Sequence, residues 1–278
     1  MENLIIDTPA KINLGLNVLR KRDDGYHDIE TFFYPISLFD TLTFSESSEF
    51  DFVCNIQDLN NENNLVVAAK KLLETELRMQ VNCKIALTKQ IPVGAGLGGG
   101  SSDAAATLLG IRRLLKLQIE NSALFNLAAK LGADVPFFLN PKPSYAKDRG
   151  EYLTQMDCKI YYPILIVHPG IQISTKWAYE NVIPIEPMFP LRKLIEDREL
   201  DFLYMENKIK NDFEPIVFKY HPEIKDIKLM MYKLGAMYAL MSGSGSSIYG
   251  VFPTKYKADN AVDFFKNKYF TFLHHVPL

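Results

Sequence analysis

Between Pro92 and Ser102 the chain reads Pro-Val-Gly-Ala-Gly-Leu-Gly-Gly-Gly-Ser-Ser, with five glycines in seven positions and two hydroxyls at its end. Gly94, Gly96, Gly98, Gly99 and Gly100 lack the side chains that would keep backbone N–H groups away from a ligand. The run that follows, Asp103 to Leu117, places Ala104, Leu108, Ile111 and Leu115 at helical spacing, interrupted only by Gly110. A bare glycine loop feeding a helix N-terminus suits an anion, because free N–H groups and the helix dipole point to one spot. Phosphate is the cellular anion that such a loop fits. The chemistry indicated is nucleotide binding.

Spacing separates the known kinds of glycine loop. A Walker loop requires Lys after its last glycine, and none follows here. Gly94, Gly96 and Gly99 match the G-x-G-x-x-G dinucleotide pattern, which needs an acidic residue ending a second strand some way downstream. Glu120 stands near that distance, but Leu124 to Leu131 reads as another helix and leaves no strand to carry it. A flexible Gly/Ser linker is the plain alternative, and an Ala- and Leu-rich helix directly after the loop speaks against it.

The elements that must hold this loop follow from periodicity. Lys11 to Val18 alternates polar and apolar residues as a strand, Asp23-Asp24-Gly25 marks a turn, and Ile29 to Ile36 reads as extended. Asn63 or Asn64 caps an expected helix over Leu65 to Leu77, and Val81 to Thr88 reads as a strand. Further on, strands are expected at Tyr161–Val167, Met237–Met241 and Ser247–Phe252. Helices are expected at Thr175–Asn181, Pro222–Leu234 and Lys255–Asn267. Helices interspersed with antiparallel strands imply an α+β fold. Asn140-Pro-Lys-Pro143 is the expected crossing between lobes, with an ATP-binding lobe over 1–150 and a substrate-binding lobe over 151–278.

Bulk properties narrow the partners. With 278 residues and 47% hydrophobic content, the chain can build one large domain or two modest lobes. A net charge of −2 supplies no basic field for nucleic acid or an anionic membrane. Arg20-Lys21-Arg22, the one basic cluster, is answered at once by Asp23-Asp24. Cys54, Cys83 and Cys158 have no metal-like spacing and read as thiols in a reducing compartment. No signal-peptide pattern or membrane-length apolar run stands out, so a cytoplasmic protein is expected.

Three segments, in this order, resemble the GHMP small-molecule kinases: Pro9-Ala-Lys-Ile-Asn-Leu14, Pro92–Ser102 and Ser242-Gly-Ser-Gly-Ser-Ser247. Two more, Arg22-Asp-Asp-Gly-Tyr-His27 and Leu131-Gly-Ala-Asp-Val-Pro136, resemble the branch of that family acting on 4-diphosphocytidyl-2-C-methyl-D-erythritol in the non-mevalonate isoprenoid route. The resemblance implies a two-lobed fold with its active site in the cleft between lobes. It implies ATP and Mg²⁺ as cofactors, with no protein metal cluster, and a small-molecule substrate carrying a cytidine diphosphate group. It leaves the oligomeric state open. One segment departs from the family: Ala146-Lys-Asp-Arg-Gly-Glu151 has Asp148 where a glycine is usual.

Carried onto this chain, the resemblance makes Asp134 the base for the substrate hydroxyl and Lys11 its cationic partner. An ammonium near Asp134 would keep that carboxylate ionised. The bare reading of Asp134, between Gly132 and Pro136, is a helix cap, and that of Lys11 a surface lysine on a strand. The nucleotide phosphates would meet Pro92, Val93, Gly94, Ala95, Gly96, Leu97, Gly98, Gly99, Gly100, Ser101 and Ser102. The two serines could instead cap the helix. Tyr26 would stack on the pyrimidine and His27 would hydrogen-bond to it. Asn13, Thr175, Tyr179 and Gly243 complete the implied substrate set, although Tyr179 could equally pack in the core. Two rival functions remain: a GHMP kinase for another alcohol such as homoserine or mevalonate, and a non-catalytic nucleotide or metabolite sensor. The Gly25-Tyr26-His27 and Leu131–Pro136 segments favour the cytidine substrate over the first. Retention of both Lys11 and Asp134 argues against the second.

Overall fold

A computed structural model describes residues 3–196, 200–206 and 208–275. Its first half contains β1 (Leu4–Lys21), β2 (His27–Glu46), β3 (Asp51–Cys54), α1 (Leu65–Leu77) and β4 (Cys83–Thr88). Then come α2 (Gly99–Leu114), α3 (Asn121–Leu131), α4 (Val135–Phe138), β5 (Ser144–Asp148) and β6 (Tyr152–Gln155). The remainder is β7 (Ile164–His168), α5 (Thr175–Asn181), α6 (Leu191–Ile195), α7 (Phe202–Met205) and α8 (Glu214–Tyr220). It closes with α9 (Pro222–Lys233), β8 (Tyr238–Met241), β9 (Ile248–Val251), α10 (Lys255–Phe265) and β10 (Phe270–His274). Strands and helices are mixed along the chain, with mostly antiparallel pairing. The fold class is α+β.

These residues group into two compact units. The first takes Leu38–Ile91, Gly98–Pro141 and the described part of Met1–Ala10. In it the C-terminal half of β2 pairs antiparallel with β4, from Thr41↔Thr88 to Glu46↔Cys83, and β3 lies parallel on the other side of β4. α2 packs against α1, α3 and α4. Gly110 lets α2 come down on the sheet, since a Cβ there would overlap the ring of buried Phe44. α1 spans the expected residues, and Asn64 is its cap, accepting the Val66 N–H at 2.9 Å.

The second unit takes Lys11–Ser37, Pro92–Leu97 and the described part of Lys142–Leu278. The N-terminal half of β2 pairs with β5, from Ile29↔Asp148 to Phe33↔Ser144, and β5 turns back into β6. A second sheet has the order β10-β7-β9-β8, antiparallel throughout. Ile224, Ile227 and Met231 of α9 and Ala258, Ala261 and Phe265 of α10 join Leu165, Val167, Met241 and Ile248 in its core. Their spacing of three and four residues is what one buried helical face requires.

Several boundaries differ from those expected. β1 and β2 run well past the expected Lys11–Val18 and Ile29–Ile36; the extension of β2 alternates buried and exposed positions, but buried Asp40 and exposed Phe39 break the apolar pattern that would reveal it. β7 starts only at Ile164, since Pro163 offers no N–H to a ladder. α2 begins at Gly99 rather than Asp103, so the last two loop glycines form its first turn. Among the described residues, no helix is long and apolar enough to cross a membrane.

Candidate functional site

Gly94, Gly96 and Gly98 stand at φ 65°, 76° and 76°, a region that residues with a Cβ rarely enter. Gly98 occupies the N-cap of α2 and has no side chain to close it. Its carbonyl accepts the Ser102 N–H at 2.9 Å, the helix's first internal bond. The N–H groups of Gly99, Gly100 and Ser101 therefore have no acceptor within the helix. A phosphate supplies such acceptors, and the helix dipole favours its charge.

The two serines do not behave alike. Ser101 is half-buried in the first turn, whereas Ser102 is fully buried. The Ser102 hydroxyl donates to Pro9 O at 2.7 Å and lies 2.5 Å from Thr8 Oγ1. Its hydroxyl fastens α2 to β1 instead of facing a ligand. Neither serine caps the helix, because that place belongs to Gly98.

In the second unit, parts of the three motif segments meet. Lys11 N–H donates to Leu97 O at 2.9 Å, and Lys11 Nζ donates to Asn13 Oδ1 at 2.6 Å and Gly96 O at 3.2 Å. Ser242 Oγ donates to Gly96 O at 2.9 Å and accepts the Asn13 N–H at 3.3 Å. The Ser247 N–H donates to Ala95 O at 3.1 Å. Gly96 and Gly243 are needed for this approach. A Cβ on Gly96 would overlap Ser242 O, and one on Gly243 would stand 3.1 Å from Gly96 O. Lys11 is only 3% exposed, which removes the surface-lysine reading.

The residues implied for the substrate occupy two places. His27, 8% exposed, stacks on Tyr179 with centroids 5.2 Å apart and planes inclined 27°. Burial lowers the His27 pKa, so its imidazole is neutral over a wider range than usual. Tyr179 also meets Phe213 edge-on at 4.9 Å, while Trp177 turns to Tyr220 at 5.3 Å. Tyr26 is 57% exposed and lies beneath the Arg149 guanidinium, 5.0 Å from ring centroid to Cζ. Thr175 Oγ1 lies 3.1 Å from Ser244 Oγ, tying the start of α5 to the third motif. In the first unit, Asp134 is half-buried just before α4, and its side chain makes no capping bond there.

Two supports carried no local signal in the sequence. Asn211 Nδ2 donates to Met241 O at 2.7 Å and Gly243 O at 2.8 Å, fixing the Ser242–Ser247 turn. In the first unit, Lys89 Nζ is paired with Asp40 and, at 2.8 Å, with Asp103 Oδ2. Asp40 Oδ1 also accepts the N–H groups of Gln90 and Ile91, at 2.6 and 2.9 Å. One lysine thus serves two buried carboxylates beneath the first turn of α2, and Asp103 Oδ1 makes no hydrogen bond. Burial, together with the like charge of Asp40 and against the pull of Lys89, raises the Asp103 carboxyl to about 7. Burial also opposes the Lys89 ammonium, but the two carboxylates more than offset it and its pKa is raised. A conserved-looking motif could not have shown this cluster, whose members are 49 and 14 residues apart.

Comparison with known proteins identifies the family. Residues 64–141 match the GHMP kinases N terminal domain, and residues 192–271 match the GHMP kinases C terminal domain. A 4-diphosphocytidyl-2-C-methyl-D-erythritol kinase from Chlorobium phaeobacteroides (strain BS1) is 40% identical over 275 residues, 97% of this chain and 96% of its own. A crystal structure of 4-(cytidine 5'-diphospho)-2C-methyl-D-erythritol kinase superposes with a TM-score of 0.83 at 34% identity, covering 98% of each chain. Homoserine kinase from Cytophaga hutchinsonii shares the fold, with a TM-score of 0.76 at 17% identity over 99% of this chain and 95% of its own. By sequence and by fold, the chain belongs to the GHMP kinase family.

Proposed function

We propose that this enzyme transfers the γ-phosphoryl group of ATP to the 2-hydroxyl of 4-diphosphocytidyl-2-C-methyl-D-erythritol. The reaction class rests on one observation above others: the buried Lys11 ammonium is held against the carbonyl of Gly96 in the glycine loop. Full-length likeness to kinases named for that substrate supports the choice of acceptor.

The loop fits a nucleotide polyphosphate, since three N–H groups at the start of α2 need acceptors and three glycines hold positive φ. ATP supplies the phosphoryl group, and a bound Mg²⁺ ion would neutralise charge on its oxygens. Among the described residues, no group of three or more His, Cys, Asp or Glu side chains converges as a metal cage. Such an ion would be held largely by phosphate oxygens and water, with the Ser101 hydroxyl as the protein oxygen that would complete its shell. Asp134 accepts the proton of the substrate hydroxyl as its oxygen bonds to phosphorus and the bridging P–O bond breaks. Lys11 keeps negative charge favourable around that step, and Asn13 fixes the ammonium. Tyr26 presents a flat face to the cytosine, His27 and Tyr179 form its other contacts, and Thr175 and Gly243 contribute at the third motif.

A coupled ADP-release assay with the cytidine substrate beside homoserine and mevalonate tests the proposal. Turnover confined to the cytidine compound is expected. Preference for either other alcohol would replace the acceptor, and ATP binding without turnover of any of them would favour a sensor.

A further inference from the structure

The turn between β5 and β6 holds the departure from the family pattern at Asp148, and its geometry gives the neighbouring Arg149 a use. Asp148 adopts the left-handed conformation itself, at φ 61°, and Gly150 follows at 115°. Asp is among the few residues with a Cβ that enter this region readily, so the turn survives the loss of its glycine. Asp148 pairs with Ile29 across the start of β2, which brings residue 149 alongside the 22–27 turn. There Arg149 is tied twice to one carboxylate. Its backbone N–H donates to Glu151 Oε2 at 2.9 Å, and its Nε donates to Glu151 Oε1 at 2.8 Å. The guanidinium so fixed lies over the Tyr26 ring at 5.0 Å, within the range of a cation–π contact.

Tyr26 needs such a neighbour. Its ring is 57% exposed on a turn held by backbone bonds, Arg22 N–H to Tyr26 O at 2.8 Å and Gly25 N–H to Arg22 O at 3.1 Å. Backbone bonds fix the Cα position and leave the side-chain torsions to be settled by packing. The other arginines near the turn are committed elsewhere: Arg20 pairs with Asp28, and Arg22 with Asp24 and Asp28.

We propose that Arg149 is a specificity-determining positioning residue: anchored by Glu151, it covers one face of Tyr26 and holds the ring ready to stack the substrate's pyrimidine on the other. This rests on Tyr26 being the pyrimidine platform, as proposed above. Ordering the ring in advance removes part of the entropy cost of binding. The effect therefore belongs in KM for the cytidine substrate.

Steady-state kinetics of Arg149→Ala, Arg149→Lys, Tyr26→Ala and the Arg149→Ala/Tyr26→Ala double variant test this. Arg149→Ala is expected to raise KM for the cytidine substrate about two- to fivefold, the scale of an exposed cation–π contact, with much smaller effects on kcat and on KM for ATP. Arg149→Lys should recover part of the loss, and the double variant should be no worse than Tyr26→Ala alone. An unchanged KM in Arg149→Ala would overturn the proposal, as would losses that multiply in the double variant. If Tyr26→Ala leaves KM unchanged, the platform reading fails and this proposal with it. If Tyr26→Ala raises KM while Arg149→Ala does not, the platform stands and only the role of Arg149 falls.

Discussion

Lys11 Nζ stands 2.6 Å from Asn13 Oδ1, the two side chains sharing one face of β1 because they are two residues apart. Asn13 in turn donates from Nδ2 to Thr31 Oγ1 at 2.8 Å, so the lysine is braced by β2 through an amide. The Asn13 amide and the Gly96 carbonyl thus orient a buried ammonium at the glycine loop. Lys11→Ala is expected to cut kcat on the order of 10²–10⁴-fold with a far smaller change in KM for ATP, the range of a positioned proton-transfer or charge-stabilising group. Asp134→Asn should do the same, and the double variant should be hardly worse than either, because residues acting as a unit are not additive. Near wild-type turnover in either single variant would take that residue out of the chemistry.

The glycines of the loop are not equivalent, and two of them give opposite expectations. Gly96 sits at φ 76°, and an added Cβ would overlap Ser242 O, so Gly96→Ala forces the loop and the third motif apart. Gly100 has no positive φ, and its Cβ would meet only Leu65 Cδ1 at 3.4 Å, an ordinary contact. ATP titration with far-UV circular dichroism on the same samples should show affinity lost in Gly96→Ala and largely kept in Gly100→Ala. Equal affinities would mean that the contact between Gly96 and Ser242 does not shape the phosphate site.

How far the sequence revealed this molecule depends on whether the cause was local. α1 and its Asn64 cap were legible because capping and apolar spacing act within a few residues. The loop glycines were legible as a group, but the start of α2 at Gly99 was not, since glycine propensity argues against helix there. Ser102 looked like a ligand residue beside Ser101. Only the return of β1, which brings Thr8 and Pro9 over it, reveals that its hydroxyl is taken. β5 and β6 were missed because four- and five-residue strands with exposed ends carry little periodicity. The Lys89 cluster and Asn211 were invisible for a further reason: their partners are remote in the chain.

The Asp40–Lys89–Asp103 cluster should leave a pH signature in stability. Asp103 titrates at about 7 in the fold against 3.8 as the ordinary value, so the folded state binds a proton that the unfolded chain releases. Its contribution to stability is therefore fully present below about 4 and is lost as pH rises through about 7. Asp103→Asn is neutral throughout and keeps the shape. Denaturant melts from pH 4.5 to 7.5, chosen as roughly this window, should show the variant gaining on the wild type toward neutrality. Parallel stability curves would mean that Asp103 is ionised in the fold at all these values and that Lys89 satisfies both carboxylates.

The pyrimidine site proposed above rests on Tyr26 and His27, and the two should fail in different ways. Removing the exposed ring in Tyr26→Ala costs a base–aromatic stack, about 1–3 kcal/mol by analogy with other base-stacking sites. His27→Ala leaves polar edges of the cytosine without a partner in a partly buried place, roughly 1–3 kcal/mol as well. It also uncovers the face of Tyr179, on which His27 is stacked at 5.2 Å. The pH profiles separate them. Burial lowers the His27 pKa from 6.5, so the ring is neutral at pH 7 and gains its proton only further into acid. Once protonated it can no longer accept a hydrogen bond at either nitrogen. KM for the cytidine substrate should therefore be flat around neutrality and rise only further into acid, in the wild type and in Tyr26→Ala. In His27→Ala the rise should vanish, while KM for ATP stays unchanged in both variants. A rise that persists without His27 would assign the titration to another group. Loss of ATP affinity in either variant, with affinity for the cytidine compound kept, would move the pyrimidine site away from these residues.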